Sequence, residues 1–342
     1  MGLLGQNKRK LDFLTVTSSG YADMSLALAI SLKDNCERPF RLWVSCTDEE
    51  SFQQIDALKH ESLRPFLFPG IPDSGVAELS RKYAIPELCY ASKGFAIKHL
   101  FNWGVSKLLY VDSDMCCFSD PTVIFERDLS DCSILLTPHF HVSESYKSKY
   151  GKFNVGFIGL RNDGYSNKFL DWWCGKCRDE CRIDLSEGLY IDQKYVDEVP
   201  EKFGNVKIAE EPGYNAGHWF LEKSGYKINL EQKTVDSSRL IFNHFSGFRV
   251  TEDLRPYNLA GYYNHLISEQ WPLYRKYMLY LLEARKLLGT ATASGSDVRK
   301  PPRWRSFYWD IQRINPLSRI NFLEIECGLK SLRRGILTIT ER

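Results

Sequence analysis

Two apolar runs flanking a single helical stretch fix how this chain begins. Residues 11–17 and 40–46 read as strands, and residues 21–35, which follow Ser18-Ser19-Gly20, read as an amphipathic helix. The order is that of a βαβ unit. A second helical stretch over residues 86–103 then leads into the apolar run at 107–111. Strands alternating with helices predict an α/β fold built on a mostly parallel sheet with helices on both faces. Beyond Asp120-Pro121 the pattern is more mixed. Residues 133–137 and 154–160 read as strands, 168–182 as a helix and 189–199 as a short helix. Residues 206–209 and 239–244 are shorter strand candidates, and 267–288 form a long helical pattern rich in aromatics. The run from Gly289 to Ser296 has the composition of a flexible linker.

At the end of the run Leu108-Leu109-Tyr110-Val111 stands Asp112-Ser113-Asp114. Alternate residues of an extended chain point the same way, so the two acids can converge on one cation. Ligands of open α/β sheets lie beyond the carboxyl ends of the strands. A hard divalent ion on one or two carboxylates, with its other positions open to phosphate oxygens, is one way to bind a nucleotide diphosphate. The bare triplet is equally a solvated turn after a strand, because so short a motif recurs by chance. Its placement favours the first reading.

A chain of 342 residues with 43% hydrophobic content can bury a full core. Its formal charge of +2 gives no reason to expect a nucleic-acid partner. The charge is uneven, since residues 297–342 hold ten Lys/Arg against five Asp/Glu. Within them Arg303-Trp304-Arg305-Ser306-Phe307-Tyr308-Trp309 mixes cations with aromatics. That mixture suits peripheral contact with an anionic membrane, and equally an aromatic patch packed on the domain. No stretch approaches the length of a membrane span, and the start lacks the apolar centre of a signal peptide, so a cytoplasmic protein, peripheral at the inner face of the membrane, is expected. Ten cysteines at irregular spacing predict reduced thiols. Cys174, Cys177 and Cys181 share one helix face, where they read as core filler rather than as a zinc site without a fourth ligand.

Four further segments, with the carboxylate pair, carry a family resemblance over about residues 11–249. They are Thr15-Val16-Thr17-Ser18-Ser19-Gly20-Tyr21, Phe153-Asn154-Val155-Gly156, Gly188-Leu189-Tyr190-Ile191-Asp192-Gln193 and Phe242-Asn243-His244-Phe245-Ser246-Gly247-Phe248-Arg249. The chain resembles metal-dependent nucleotide-sugar glycosyltransferases of the GT-A fold, and within them bacterial surface-polysaccharide enzymes related to the family-8 retaining transferases. The resemblance implies a metal site of Asp112, Asp114 and His244, with manganese expected and magnesium the alternative. It implies donor contacts from Tyr21, stacking on the base, and from Lys93, Asp112, Asn154, Gly247 and Arg249. The catalytic pair would be Asp192 and Gln193, and His139 would line the acceptor side. The segment Glu211-Pro212-Gly213-Tyr214-Asn215-Ala216-Gly217-His218-Trp219 also fits the bacterial enzymes, with no role assigned. Two features of the family are absent here: an acid near Ser18 for the base, and a Lys-Pro-Trp after the histidine segment.

The expected organisation is a GT-A catalytic domain over residues 1–265, with its nucleotide-binding part at 11–118 and its sugar and acceptor part at 119–265. A helical, basic and aromatic extension follows at 266–342, with a linker near 289–302. The expected function is a glycosyltransferase of hexosyltransferase type. It would move a sugar from a nucleotide diphosphate donor, UDP by preference, to a glycan or lipid-linked acceptor in surface-polysaccharide synthesis. The rival readings are a sugar-phosphate nucleotidyltransferase, which should carry a Gly-rich basic loop after the first strand, and a non-catalytic membrane-surface adaptor with a degenerate transferase fold.

Overall fold

The first strand, β1 (Leu11–Thr17), is buried along its whole length. A strand covered on both faces must satisfy any polar group it carries, and Asp12 is matched by Arg41 at 2.7 Å and by the Trp43 indole N–H at 2.8 Å. The computed structural model describes residues 10–140, 142–219, 227–250, 256–258 and 267–289. β2 (Phe40–Cys46) and β3 (Leu63–Leu67) extend the sheet on one side of β1. On the other side lie β4 (Lys107–Val111), β7 (Phe153–Arg161), β6 (Ile134–Pro138) and the edge strand Val206–Ile208. Every pairing is parallel except the two made by β7. The mostly parallel α/β sheet expected from the sequence is thus present, with one reversed strand at its centre.

That reversal matters for chemistry. β7 begins where β4 and β6 end, so Asn154 and Gly156 arrive at the carboxyl edge of the sheet. A second, small sheet stands on this edge: β5 (Met115–Cys117) pairs antiparallel with Phe242–His244, which pairs in parallel with Ala216–Gly217.

Helices cover both faces. α1 (Ala22–Asn35) is buried almost continuously from Ala22 to Leu32, rather than on one stripe as an amphipathic helix would be. The reason is the long helix Ile267–Leu287, which packs over its outer side and brings Tyr274, Tyr277 and Leu281 into the same core as Phe13. The expected domain boundary near residue 265 precedes this helix. On the opposite face lie Ile85–Ala91, Lys93–Asn102 and Gly164–Asp179. The first two were expected as one helical stretch and divide at Ser92. The stretch expected as a short helix at 189–199 opens instead with a two-residue strand, Leu189–Tyr190, and turns helical only from Lys194. Helices Glu49–Asp56 and Ser74–Lys82 have no counterpart in the sequence reading.

Cys174, Cys177 and Cys181 are buried in the second core. Burial pushes the Cys174 and Cys177 thiols above the usual range, against the thiolate a zinc site needs. The packing there is close: a Cβ on Gly94 would fall 2.8 Å from the Cys174 sulfur. The basic tail at 297–342 lies outside the described residues, and among those described no helix is long and apolar enough to cross a membrane.

Trp173 links this core to the sheet edge, since its ring stacks on Phe169 with centroids 5.4 Å apart and its indole N–H donates to the Asp192 carbonyl at 3.0 Å. Trp173→Ala is expected to cost about 3–5 kcal/mol of stability. Urea unfolding followed by circular dichroism measures it, and a loss below about 1 kcal/mol would contradict a core role.

Candidate active site

The backbone of β4 delivers the first carboxylate. The Asp112 N–H donates to the Gly156 carbonyl at 2.8 Å, continuing the β4–β7 ladder by one residue. The chain then turns, with the Met115 N–H donating to the Asp112 carbonyl at 3.1 Å, and enters β5. Because β5 pairs with Phe242–His244 in a register that sets Met115 opposite His244, the imidazole is carried to the two acids across the fold. The Phe245 N–H, donating to the Asp114 carbonyl at 2.9 Å, locks that register. His244 Nε2 lies 3.0 Å from Asp114 Oδ1 and 3.9 Å from Asp112 Oδ2.

Asp112, Asp114 and His244 each offer a ligand atom within 4.8 Å of the other two, and they are the one such group among the described residues. Two carboxylates and an imidazole form a donor set for a divalent ion at the hard to borderline end. Two further observations fit such an ion. His244 Nδ1 is buried without a hydrogen-bond partner, and Gly156 leaves the wall of the cluster open. A Cβ at position 156 would fall 2.6 Å from His244 Cε1 and 2.8 Å from Asp112 Oδ2, so those two side chains would have to leave their observed places. Glycine is therefore required here by close approach. Burial would raise the Asp114 carboxyl, but the His244 imidazole outweighs it and holds the group low. Burial likewise opposes charge on His244, and Asp114 reverses that.

Behind the cluster lies a buried ion triad. The Lys93 ammonium is 3.3 Å from Asp112 Oδ1 and 3.2 Å from Asp192 Oδ2, with its side chain 3% exposed. The Tyr110 hydroxyl donates to the same Asp112 oxygen at 2.6 Å, so Oδ1 is engaged from behind while Oδ2 faces His244. Lys93, expected among the donor contacts, is held between two carboxylates. Burial alone would lower its pKa, yet Asp112 and Asp192 outweigh burial and keep it above the ordinary lysine range. Asp192 is fully buried, and burial, only partly offset by Lys93, pushes its carboxyl up to about 6.

The start of β7 is held by a polar network. Gln193 braces it, accepting from the Val155 N–H at 3.2 Å and donating to the Tyr150 carbonyl at 2.6 Å. Asn154 accepts from the Gly156 N–H at 3.1 Å and from Asn215 at 3.0 Å, while its amide nitrogen lies 3.2 Å from His139 Nε2. His139, expected on the acceptor side, is 2% exposed, anchored to the Gly151 carbonyl at 2.9 Å, and lowered by burial to about 4, hence neutral. It orients Asn154 from within. The segment left without a role supplies Asn215 to this network and sets the Trp219 ring edge-on to both His139 and His244, each at 5.4 Å. The turn signals of Glu211 to Gly217 announce a loop, and nothing in them says which side chain returns to β7.

At the open end of β1, Tyr21 meets Arg249. The guanidinium carbon sits 4.4 Å from the centre of the Tyr21 ring, and the same group donates to the tyrosine hydroxyl. Gly247, at φ of 75°, makes the left-handed turn that brings Arg249 back towards β1. Tyr21, Asp112, Asn154, Gly247 and Arg249, expected among the donor contacts, thus lie along one edge, with Lys93 behind Asp112 and His139 behind Asn154.

With the geometry in hand, comparisons with known proteins place the chain. No protein-family model matches it. It is 31% identical over 254 residues to the uncharacterized protein YfnF of Bacillus subtilis (strain 168), covering 70% of this chain and 82% of YfnF. The chain belongs to the YfnF family. The uncharacterized protein YfnD of the same strain is 27% identical over 293 residues, 83% of this chain and 92% of YfnD. Among solved structures, the galactosyltransferase LgtC in complex with donor and acceptor sugar analogs matches 84% of this chain and 98% of its own, at a TM-score of 0.50 and 15% identity. The bifunctional glycosyltransferase WbbM matches 85% of this chain and 53% of its own, at a TM-score of 0.53 and 12% identity. The fold of this YfnF relative is that of the GT-A glycosyltransferases, as the sequence resemblance implied.

The cradle at Gly156 is open to a direct test. Gly156→Ala is expected to force His244 and Asp112 apart and to weaken divalent-ion binding about 10-fold or more, with the fold intact by circular dichroism. Calorimetric titration with manganese reads it, and unchanged affinity in the folded variant would mean that these residues do not form the ion site.

Proposed function

We propose that this protein is a metal-dependent glycosyltransferase. It takes a sugar from a nucleotide diphosphate donor, UDP by preference, and transfers it to a glycan or lipid-linked acceptor in surface-polysaccharide assembly on the cytoplasmic side of the membrane. The single observation that carries this reading is the convergence of Asp112, Asp114 and His244 at the carboxyl edge of a GT-A sheet. The neighbouring LgtC structure, solved with donor and acceptor sugar analogs, supports a sugar donor and a sugar acceptor as the partners.

Asp112, Asp114 and His244 would hold the ion, with manganese preferred and magnesium the alternative. When bound, it supplies Lewis-acid stabilisation to the departing diphosphate. Arg249, gripping Tyr21, stands on the same edge and offers a second positive charge to the phosphates. Tyr21 would stack on the base. Gln193 is preorganised by its two backbone hydrogen bonds, so its oxygen is fixed in direction before a positive centre develops on the sugar. Retention of configuration, the family-8 outcome, is the favoured course: the departing phosphate oxygen takes the acceptor proton. Inversion would need a base, and Asp192, wholly buried against Lys93, is poorly placed to serve as one.

The deciding experiment is a panel of nucleotide sugars with manganese, with and without chelator, scored by thermal stabilisation and by release of the nucleoside diphosphate. Stabilisation and slow donor hydrolysis by UDP-sugars, both abolished by chelator, are expected. No response to any diphosphate donor would sink the proposal. Within that assay Asp114→Asn and His244→Ala should each weaken metal-dependent donor binding by about 10-fold or more. Gln193→Ala should leave donor affinity near wild type and lower turnover by about 10-fold to 1000-fold. Equal loss of affinity in all three variants would remove Gln193 from the chemistry.

A further inference from the structure

The helix Ile267–Leu287 lies beyond every segment that carries the family resemblance, yet one of its side chains touches both halves of the donor edge. Arg285 donates through Nε to Asp23 Oδ2 at 2.7 Å and through its terminal nitrogen to the Val250 carbonyl at 2.9 Å. Asp23 lies two residues after Tyr21, and Val250 directly follows Arg249. Arg285 therefore ties together the two chain segments whose side chains form the Tyr21–Arg249 contact. The same helix grips the intervening strap by stacking. The Tyr277 and Phe245 rings lie 4.1 Å apart and nearly parallel at 9°, and Tyr274 packs against Phe248 at 5.0 Å. Phe245 is the residue whose N–H holds the Asp114 carbonyl. The Arg285–Asp23 pair is mostly buried, with side chains 20% and 17% exposed, so it is shielded from the screening that weakens surface pairs.

We infer that Arg285 is a positioning residue for donor binding, setting the registry between the β1–α1 loop and the strap from His244 to Val250 so that Tyr21 and Arg249 meet. The inference rests on the donor-site reading above. A planar guanidinium can bond a carboxylate and a carbonyl at once, whereas an ammonium is a single point charge. Arg285 touches no reacting group, so its removal should act on affinity and leave the chemical step alone.

The test uses the full chain with manganese, UDP as the titrant and thermal unfolding as the control. Arg285→Ala is expected to raise the Kd for UDP about 10-fold while manganese affinity and turnover at saturating donor stay near wild type. Arg285→Lys, which keeps the ion pair with Asp23 but not both bonds, should recover part of that loss. Should Arg285→Ala fail to fold, Asp23→Asn breaks the same bridge from its other end and should raise the Kd likewise. A folded variant that lowers melting temperature or turnover while its Kd for UDP stays within about twofold of wild type would overturn the inference. Failure of the wild-type protein to bind UDP would instead overturn the donor reading itself.

Discussion

The hydrogen bond from Asp112 to the Gly156 carbonyl is the contact on which the rest of the site depends. It exists because β7 runs against its neighbours. A parallel strand at that place would begin at the far edge of the sheet, and its first residues would lie a strand length from the carboxylates. Reversal puts the start of β7 beside the end of β4, and a glycine there lets Asp112 and His244 close over the backbone. Once Asp112 is fixed, the rest follows in sequence. The turn at 112–115 aims Asp114, β5 emerges next to the strand Phe242–His244, and register pairing delivers the imidazole. Two acids and an imidazole far along the chain from them meet because two short antiparallel ladders share one corner.

A corner built this way must also be stiff. Asn154, Gln193 and His139 spend most of their hydrogen-bonding capacity on one another and on backbone, Asn215 joins them through its amide nitrogen, and each is buried. Buried polar groups in a dry setting are costly when unpaired, so a network that pairs them holds one arrangement. Side chains usually imagined reaching towards substrate here serve first to hold the wall against which a substrate would bind. The helix Ile267–Leu287 does the same from the other side, through ring stacking and Arg285.

How much of this could be seen in the sequence differs by residue, for physical reasons. Strand and helix alternation is a periodic signal, so β1, β2, β4 and the helices Ala22–Asn35, Gly164–Asp179 and Ile267–Leu287 were legible, and the parallel sheet with them. Asp112 and Asp114 were legible because they end an apolar run. His244, Tyr21 and Arg249 were legible through the family resemblance, since pairing between strands more than a hundred residues apart leaves no local mark. The burial of Lys93 and His139 was not legible, because a lysine or histidine on a helix or strand reads alike whether it meets solvent or a carboxylate. Asn215, Trp219 and Arg285 escaped for the same reason: each acts across the fold from a segment whose local pattern says only loop or helix. The tail rich in arginine and tryptophan lies beyond the described residues, so its surface reading stands on composition alone.

Charge balance ties the ion triad to the metal cluster. Asp112, Asp114 and Asp192 carry three negative charges within one buried corner when ionised, and Lys93 supplies a single positive one. Asp114 favours a proton on His244, but an imidazole that ligates a cation must be neutral, and in that state the corner is left two negative charges in excess. A buried excess of that size is unfavourable unless something neutralises it. A divalent cation would do so at the open side, where Asp112 Oδ2, Asp114 and His244 face one another. Lys93 cannot take that place, because it is held behind Asp112 with Tyr110 and Asp192 around it. The lysine lowers the charge of the corner from three to two, which a divalent ion at the open side would match. Replacing Lys93 by a neutral residue of similar size would leave Asp192 buried without its counter-charge, and Asp192 would then take up a proton rather than stay ionised. The acid behind the site and the Asp112 cluster in front of it are thus coupled through one ammonium group.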